Sequence, residues 1–144
     1  MNREKQKKTP LLTAIKKYME SNPVPFDVPG HKMGRVQNDL SDLIGIKAFQ
    51  ADVNAPIGID NLYKGTGVIH ESEELLAEAY GAKHAIFLIN GTTSGIMMMI
   101  MGCLNSNEKI IIPRNVHKSV INALIVSGAI PVFVEPEYDY ENGI

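Results

Sequence analysis

From residue 68 onward the chain alternates between helical and strand-like patterns. Leu75, Leu76, Ala79 and Tyr80 recur at helical spacing, which predicts a helix over residues 70–80 that ends at Gly81. Residues 84–89 are an almost unbroken apolar run, short enough for a buried strand. A helix over residues 93–104, a strand over 109–112, a helix over 117–127 stopped by Gly128, and a strand over 131–135 follow in turn. Short apolar strands alternating with helices predict an α/β fold, with a mainly parallel sheet covered by helices on both faces and right-handed crossovers. Residues 96–101 (IMMMIM) are apolar nearly all round, which predicts a helix buried on several sides. An adaptable, methionine-rich binding surface is the alternative.

The first 67 residues read differently. Thr9 is placed to cap a helix with Pro10 at its first position. Leu11, Leu12, Ile15, Tyr18 and Met19 make its apolar stripe, and Asn22-Pro23 ends it. Such a stripe needs a cover, and a helix of this kind at a chain start often packs on another domain or subunit. Prolines and glycines then punctuate residues 22–67, which are expected to be irregular apart from a short helix over 39–44 and a brief strand over 48–53. Irregular stretches of this length tend to carry binding residues. The organisation expected is therefore an N-terminal helix with an extended arm over 1–67, and a sheet domain over 68–144.

Composition narrows the function classes. The chain has 144 residues, 44% apolar and 21% charged, with a net charge of −2, an ordinary balance for a soluble globular protein. It gives no reason to expect a nucleic-acid or anionic-membrane partner. The basic run over residues 3–8 reads as a frayed, solvated terminus. No apolar run approaches the roughly 20 residues of a membrane span. The lone Cys103 lies in an apolar stretch as an expected core residue, excludes an internal disulfide, and suits a reducing, cytoplasmic compartment. Glu71, Glu73 and Glu74 favour the dipole of the helix they open. No metal site is expected, because no histidine is seen to join them on one face.

Two segments carry candidate chemistry. Asn90-Gly91-Thr92-Thr93-Ser94-Gly95 joins the first apolar run to the methionine-rich helix. The first turn of a helix leaves backbone N–H groups without partners and adds the positive end of the macrodipole. With glycines for close approach and three hydroxyls as donors, the turn is either an anion seat suited to a phosphate ester or an ordinary capped strand–turn–helix. It is neither a Gly-Lys-Ser/Thr nucleotide loop nor a Gly-x-Gly-x-x-Gly loop. Pro113-Arg114-Asn115-Val116-His117-Lys118-Ser119 follows the next strand and so lies on the same rim of the sheet. Its imidazole either faces that seat or caps the helix it opens.

Taken in order, several segments resemble the Orn/Lys/Arg decarboxylases of the aspartate-aminotransferase-like fold. They are Pro29-Gly30-His31-Lys32-Met33-Gly34, Gly58-Ile59-Asp60-Asn61-Leu62, Gly67-Val68-Ile69, Glu71-Ser72-Glu73, Ala77-Glu78-Ala79-Tyr80-Gly81-Ala82, the Asn90–Gly95 turn and the Pro113–Ser119 segment. The resemblance implies a partial three-layer αβα major domain of fold type I, truncated by comparison with the family. It also implies pyridoxal 5'-phosphate as cofactor. Thr92, Thr93 and Ser94 would hold the phosphate, and His117 would stack on the pyridine ring as the catalytic residue. The Pro29–Gly34 loop would lie near the site.

The activity implied is decarboxylation of lysine, arginine or ornithine to a polyamine-type amine and carbon dioxide, by a homodimer or higher oligomer. The family's cofactor-linked lysine belongs to a later His-Lys pair, so neither Lys118 nor Lys32 is assigned to it, and a chain of this extent alone is expected to be inactive. Asp27 departs from the family, where histidine is frequent. An aminotransferase or lyase of the same fold, an assembly fragment that needs a partner chain, and a plain phosphate-binding module are the alternatives.

Overall fold

The computed structural model describes residues 3–36 and 39–143. The chain divides into two compact units, Met1–Phe87 and Leu88–Ile144.

In the first unit, helix α1 (Pro10–Glu20) packs on helix α4 (Val68–Tyr80). The stripe of α1 thus finds cover inside its own unit, and only Leu12 of the predicted set stands largely exposed, at 48%. Thr9 occupies the cap position, but its hydroxyl meets that of Thr13 at 3.3 Å and makes no capping bond. The basic run ahead of α1, expected to fray, docks instead. Lys5 to Lys7 form a 3-10 turn, the Gln6 amide donates to the Leu75 carbonyl at 3.0 Å, and the Lys5 ammonium pairs with Glu78 at 2.7 Å. Glu78's hydrogen bond and charge raise the Lys5 pKa. A terminus frays when nothing ties it down, and here a neutral amide and an opposite charge do.

Helix α2 (Asp39–Ile44) lies where the pattern put it. The strand expected over residues 48–53 is instead part of helix α3 (Ile46–Ala51). Ile46 and Phe49 sit three residues apart and share one helical face, which a strand would not give them. Phe49 is buried, and Gly34 lies so close that a Cβ there would collide with Ile46. At φ 79° Gly34 also holds a left-handed backbone, so glycine is required twice over. Helix α4 ends on Gly81 in the left-handed conformation, as predicted.

The second unit runs helix α5 (Gly91–Cys103), strand β1 (Lys109–Pro113), helix α6 (Lys118–Ser127) and strand β2 (Ile130–Val134). The strands pair in parallel, with Ile111 opposite Val132 and Ile112 opposite Phe133. Gly128 stops α6 in the left-handed conformation. The core is Ile100, Ile112, Ala123, Leu124 and Ala129, flanked by Ile96, Met97, Ile110 and Val120. The unit is α/β with a small parallel sheet, and it differs from the expected layering. Ile110 and Ile112 face the helices, while Ile111 on the opposite face is 73% exposed, so only one face of the sheet is covered.

Three further expectations fail for the same reason, a shortage of neighbours. Residues 84–89 carry strand-like sequence but make no ladder among the described residues, and Ile86 and Ile89 stand exposed. A strand exists only where its N–H and C=O groups meet a partner. Helix α5 buries Ile100 and partly Ile96 and Met97, but Met98, Met99 and Met101 are exposed. Its apolar girdle is wider than α6 and one sheet face can cover. Cys103, expected in the core, is exposed on the last turn of that helix. Among the described residues no helix is long and apolar enough to cross a membrane.

Leu124 is 6% exposed and central to the second unit. Leu124→Ala is expected to lower stability by about 2–5 kcal/mol. Chemical denaturation followed by amide exchange in α5 and α6 checks this, and unchanged protection there would contradict the assigned core.

Candidate functional site

Helix α5 ends shortly before β1 begins, and α6 starts shortly after β1 ends. The two helices pack together, and the short connections at the two ends of β1 turn each of them back against the strand. Their first turns therefore lie at the same end of the unit, beyond the carboxyl end of β1, where parallel sheets bind ligands.

At the start of α5, Asn90 (φ −111°, ψ 29°) holds the cap position with no side-chain capping bond. Gly91 has φ 73°, a left-handed conformation that sharpens the turn, and open space surrounds its Cα. The hydroxyls of Thr92 and Thr93 are exposed and have no protein partner among the described residues. Ser94 differs, because its hydroxyl donates to the Asn90 carbonyl at 2.9 Å. Its proton is committed to the turn itself. The first turn contains neither acidic nor basic residues, so its pull on an anion comes from amide dipoles and hydroxyls.

At the start of α6, His117 (φ −62°, ψ 145°) is the cap residue. Its Nδ1 accepts the backbone N–H of Ser119 at 3.2 Å and lies 2.8 Å from the Ser119 hydroxyl. The residue as a whole is exposed. Capping is thus the local role of this histidine, and it leaves ring surface open to a ligand. Lys118 is exposed beside it. Arg114 is committed elsewhere: its guanidinium sits 4.6 Å above the Phe133 ring and pairs with Glu135.

In the first unit, the Pro29–Gly34 loop has its own internal frame. His31 Nδ1 accepts the Gly34 N–H at 3.3 Å, so the neutral ring carries its proton on Nε2 and gives it to Asp52 at 3.1 Å. The ring meets Phe49 edge-on, with centroids 5.0 Å apart. Lys32 and Met33 follow in left-handed backbone, at φ 51° and 57°, and the Lys32 ammonium donates to the Asp27 carbonyl. Sequence reasoning missed Asp52 and Phe49, because no spacing rule links them to a histidine some twenty residues earlier. In the Gly58–Leu62 segment, Asp60 Oδ2 is buried without a hydrogen-bond partner, against Gly67. The acidic start of α4 needs a correction as well. His70 does lie on the face of Glu73 and Glu74, at 3.9 and 3.6 Å, a pairing that its spacing of three and four residues could have shown. Among the described residues no group of three such side chains is arranged to hold a metal.

The family described as Orn/Lys/Arg decarboxylase, major domain, matches residues 9–144. The arginine decarboxylase of Bacillus subtilis (strain 168) is 43% identical over 140 residues, which are 96% of this chain and 29% of that protein. The biodegradative arginine decarboxylase of Escherichia coli (strain K12) is 28% identical over 134 residues, 88% of this chain and 18% of that one. Among solved structures, the E. coli constitutive lysine decarboxylase superposes with a TM-score of 0.82 at 27% identity, covering 95% of this chain and 20% of its own. The chain spans under a third of the length of the curated relatives it matches.

The turn at Gly91 should behave as an anion seat. Inorganic phosphate is expected to shift the amide resonances of residues 91–94. Gly91→Ala, forced into a left-handed backbone at ~1–2 kcal/mol, should weaken that response up to about thirtyfold. Shifts that ignore phosphate would remove the seat.

Proposed function

The chain belongs to the Orn/Lys/Arg decarboxylase family, and from that premise we propose that it forms the part of a pyridoxal 5'-phosphate-dependent amino acid decarboxylase that seats the cofactor. The parent enzyme takes lysine, arginine or ornithine and releases carbon dioxide and a polyamine-type amine. It works in the cytoplasm as a homodimer or higher oligomer. Residues 1–67 are its N-terminal helix and arm, and residues 68–144 the first part of a three-layer, fold type I major domain. The exposed Ile111 face of the sheet and the exposed Met98, Met99 and Met101 of α5 support that layering, since further layers would cover them.

The observation that carries the reading is the pair of helix starts at one end of the second unit. One offers an anion seat, the other an exposed imidazole fixed by its own helix. The donor set fits the cofactor. Amides of the first turn of α5 and the hydroxyls of Thr92 and Thr93 would take the phosphate oxygens. Ser94 serves by holding the Asn90 carbonyl, so that the turn stays formed. His117 would lay its ring against the pyridine, a flat aromatic contact that sets the ring plane. When bound, pyridoxal phosphate supplies the electron sink that receives the electron pair left as a carboxylate departs. These residues would bind and orient the cofactor rather than move protons.

Two measurements test this. Titration with pyridoxal phosphate, followed by its absorbance, should saturate and be reversed by inorganic phosphate. The enzyme that carries this stretch should release labelled carbon dioxide from at least one of carboxyl-labelled lysine, arginine or ornithine. His117→Ala should raise the cofactor dissociation constant by about two- to tenfold, the worth of one aromatic contact, and His117→Phe should largely restore it. Amino-group transfer without carbon dioxide release would instead identify an aminotransferase.

A further inference from the structure

Ser119 is the most deeply buried polar side chain among the described residues, at 1% exposure, beside the core residues Ala123 and Leu124. A hydroxyl in such a place is costly unless it is hydrogen-bonded. Helix positions near a first turn favour serine for its bonds to the backbone. This hydroxyl does something else, lying 2.8 Å from Nδ1 of the exposed His117. The amide of the same residue reaches the same nitrogen at 3.2 Å.

The donor and acceptor inventory then decides the ring's state. A backbone N–H can only donate, so Nδ1 must present its lone pair and carries no proton. The Ser119 hydroxyl, facing that lone pair, must donate as well. The proton of the neutral imidazole therefore sits on Nε2. A single bond to Nδ1 would leave the ring free to tilt about its acceptor. Two donors from one rigid, buried residue converge on the lone pair and hold the ring plane.

We propose that Ser119 is a positioning residue, which fixes His117 in one orientation and as the Nε2–H tautomer. That the ring so held serves a cofactor rests on the function proposed above; that it is held does not. A hydroxyl of this kind reaches the exposed ring from inside the core, where side chains are packed and rotamers locked. The orientation of a surface imidazole is thereby tied to the folding of α6.

The two-bond nitrogen–proton correlation spectrum of the ¹⁵N-labelled 144-residue chain tests this, at a pH where the ring is neutral. His117 should show an unprotonated Nδ1 and a protonated Nε2. Ser119→Ala keeps the amide and removes the hydroxyl, and should shift the tautomer ratio about fivefold toward Nδ1–H, the worth of one hydrogen bond. Ser119→Cys, nearly isosteric with a weak donor, should fall between. Circular dichroism checks that the helices persist, and should Ser119→Ala unfold, the ratio in the nearly isosteric Ser119→Cys decides. An Nδ1–H tautomer in the unmodified chain, or an unchanged ratio in a folded Ser119→Ala, would overturn the assignment. A ratio that shifts in folded Ser119→Ala, in a chain that does not take pyridoxal phosphate, would uphold Ser119 as the positioning residue and defeat the cofactor reading.

Discussion

Parallel pairing of β1 with β2 is the constraint from which the site follows. Two parallel strands cannot be joined by a hairpin, so the chain must return along a crossover, here α6. Every such helix then starts where a strand ends. With α5 leading into the start of β1 and α6 leaving from its end, both helices bring their unpaired amides to the same end of the unit. No individual residue has to select that end, because the topology supplies the partial charge and the residues at the turns only shape it. Gly91 opens the turn, Ser94 closes it on the Asn90 carbonyl, and Thr92 and Thr93 are left with hydroxyls to offer.

The pattern along the chain made helices α1, α2, α4, α5 and α6 and the β1–β2 pair legible, and the glycine stops at Gly81 and Gly128 fell where expected. What the pattern misjudged depends on neighbours. Residues 84–89 have the composition of a buried strand, but a strand is a relation between two segments, and no partner meets them among the described residues. The apolar girdle of α5 implies burial all round, while burial requires surfaces enough to cover it. Cys103 was misplaced along with that helix. The error over residues 48–53 is local: a brief strand was expected where Ile46 and Phe49 mark a single helical face.

The candidate site divides in the same way. Thr92, Thr93, Ser94 and His117 could be named from the sequence because a strand–turn–helix puts them at a rim. Their separate duties could not, since Ser94 and Thr93 are neighbours of nearly equal chemistry. Only the Asn90 carbonyl distinguishes them, by accepting one hydroxyl. The pair formed by His31 and Asp52 was hidden for another reason. Their contact depends on a helix, α3, that the pattern had assigned to a strand, and the strand would have turned those positions elsewhere.

His117 shows why the plain and the functional readings of a residue need not compete. A histidine that caps a helix uses the Nδ1 edge of its ring, whereas stacking uses the face. The first leaves the second available and improves it, since a ring fixed at its edge loses less freedom when a ligand lies on its face. Serine two residues later completes the arrangement, because it supplies two donors to one nitrogen from a buried position on α6. An alanine there would cap as well through its amide alone, and would bury more cheaply. A polar side chain kept in an apolar core, with its hydroxyl turned toward a surface imidazole, is more than the stability of α6 requires. The excess is accounted for if the orientation of the imidazole is itself what the structure maintains.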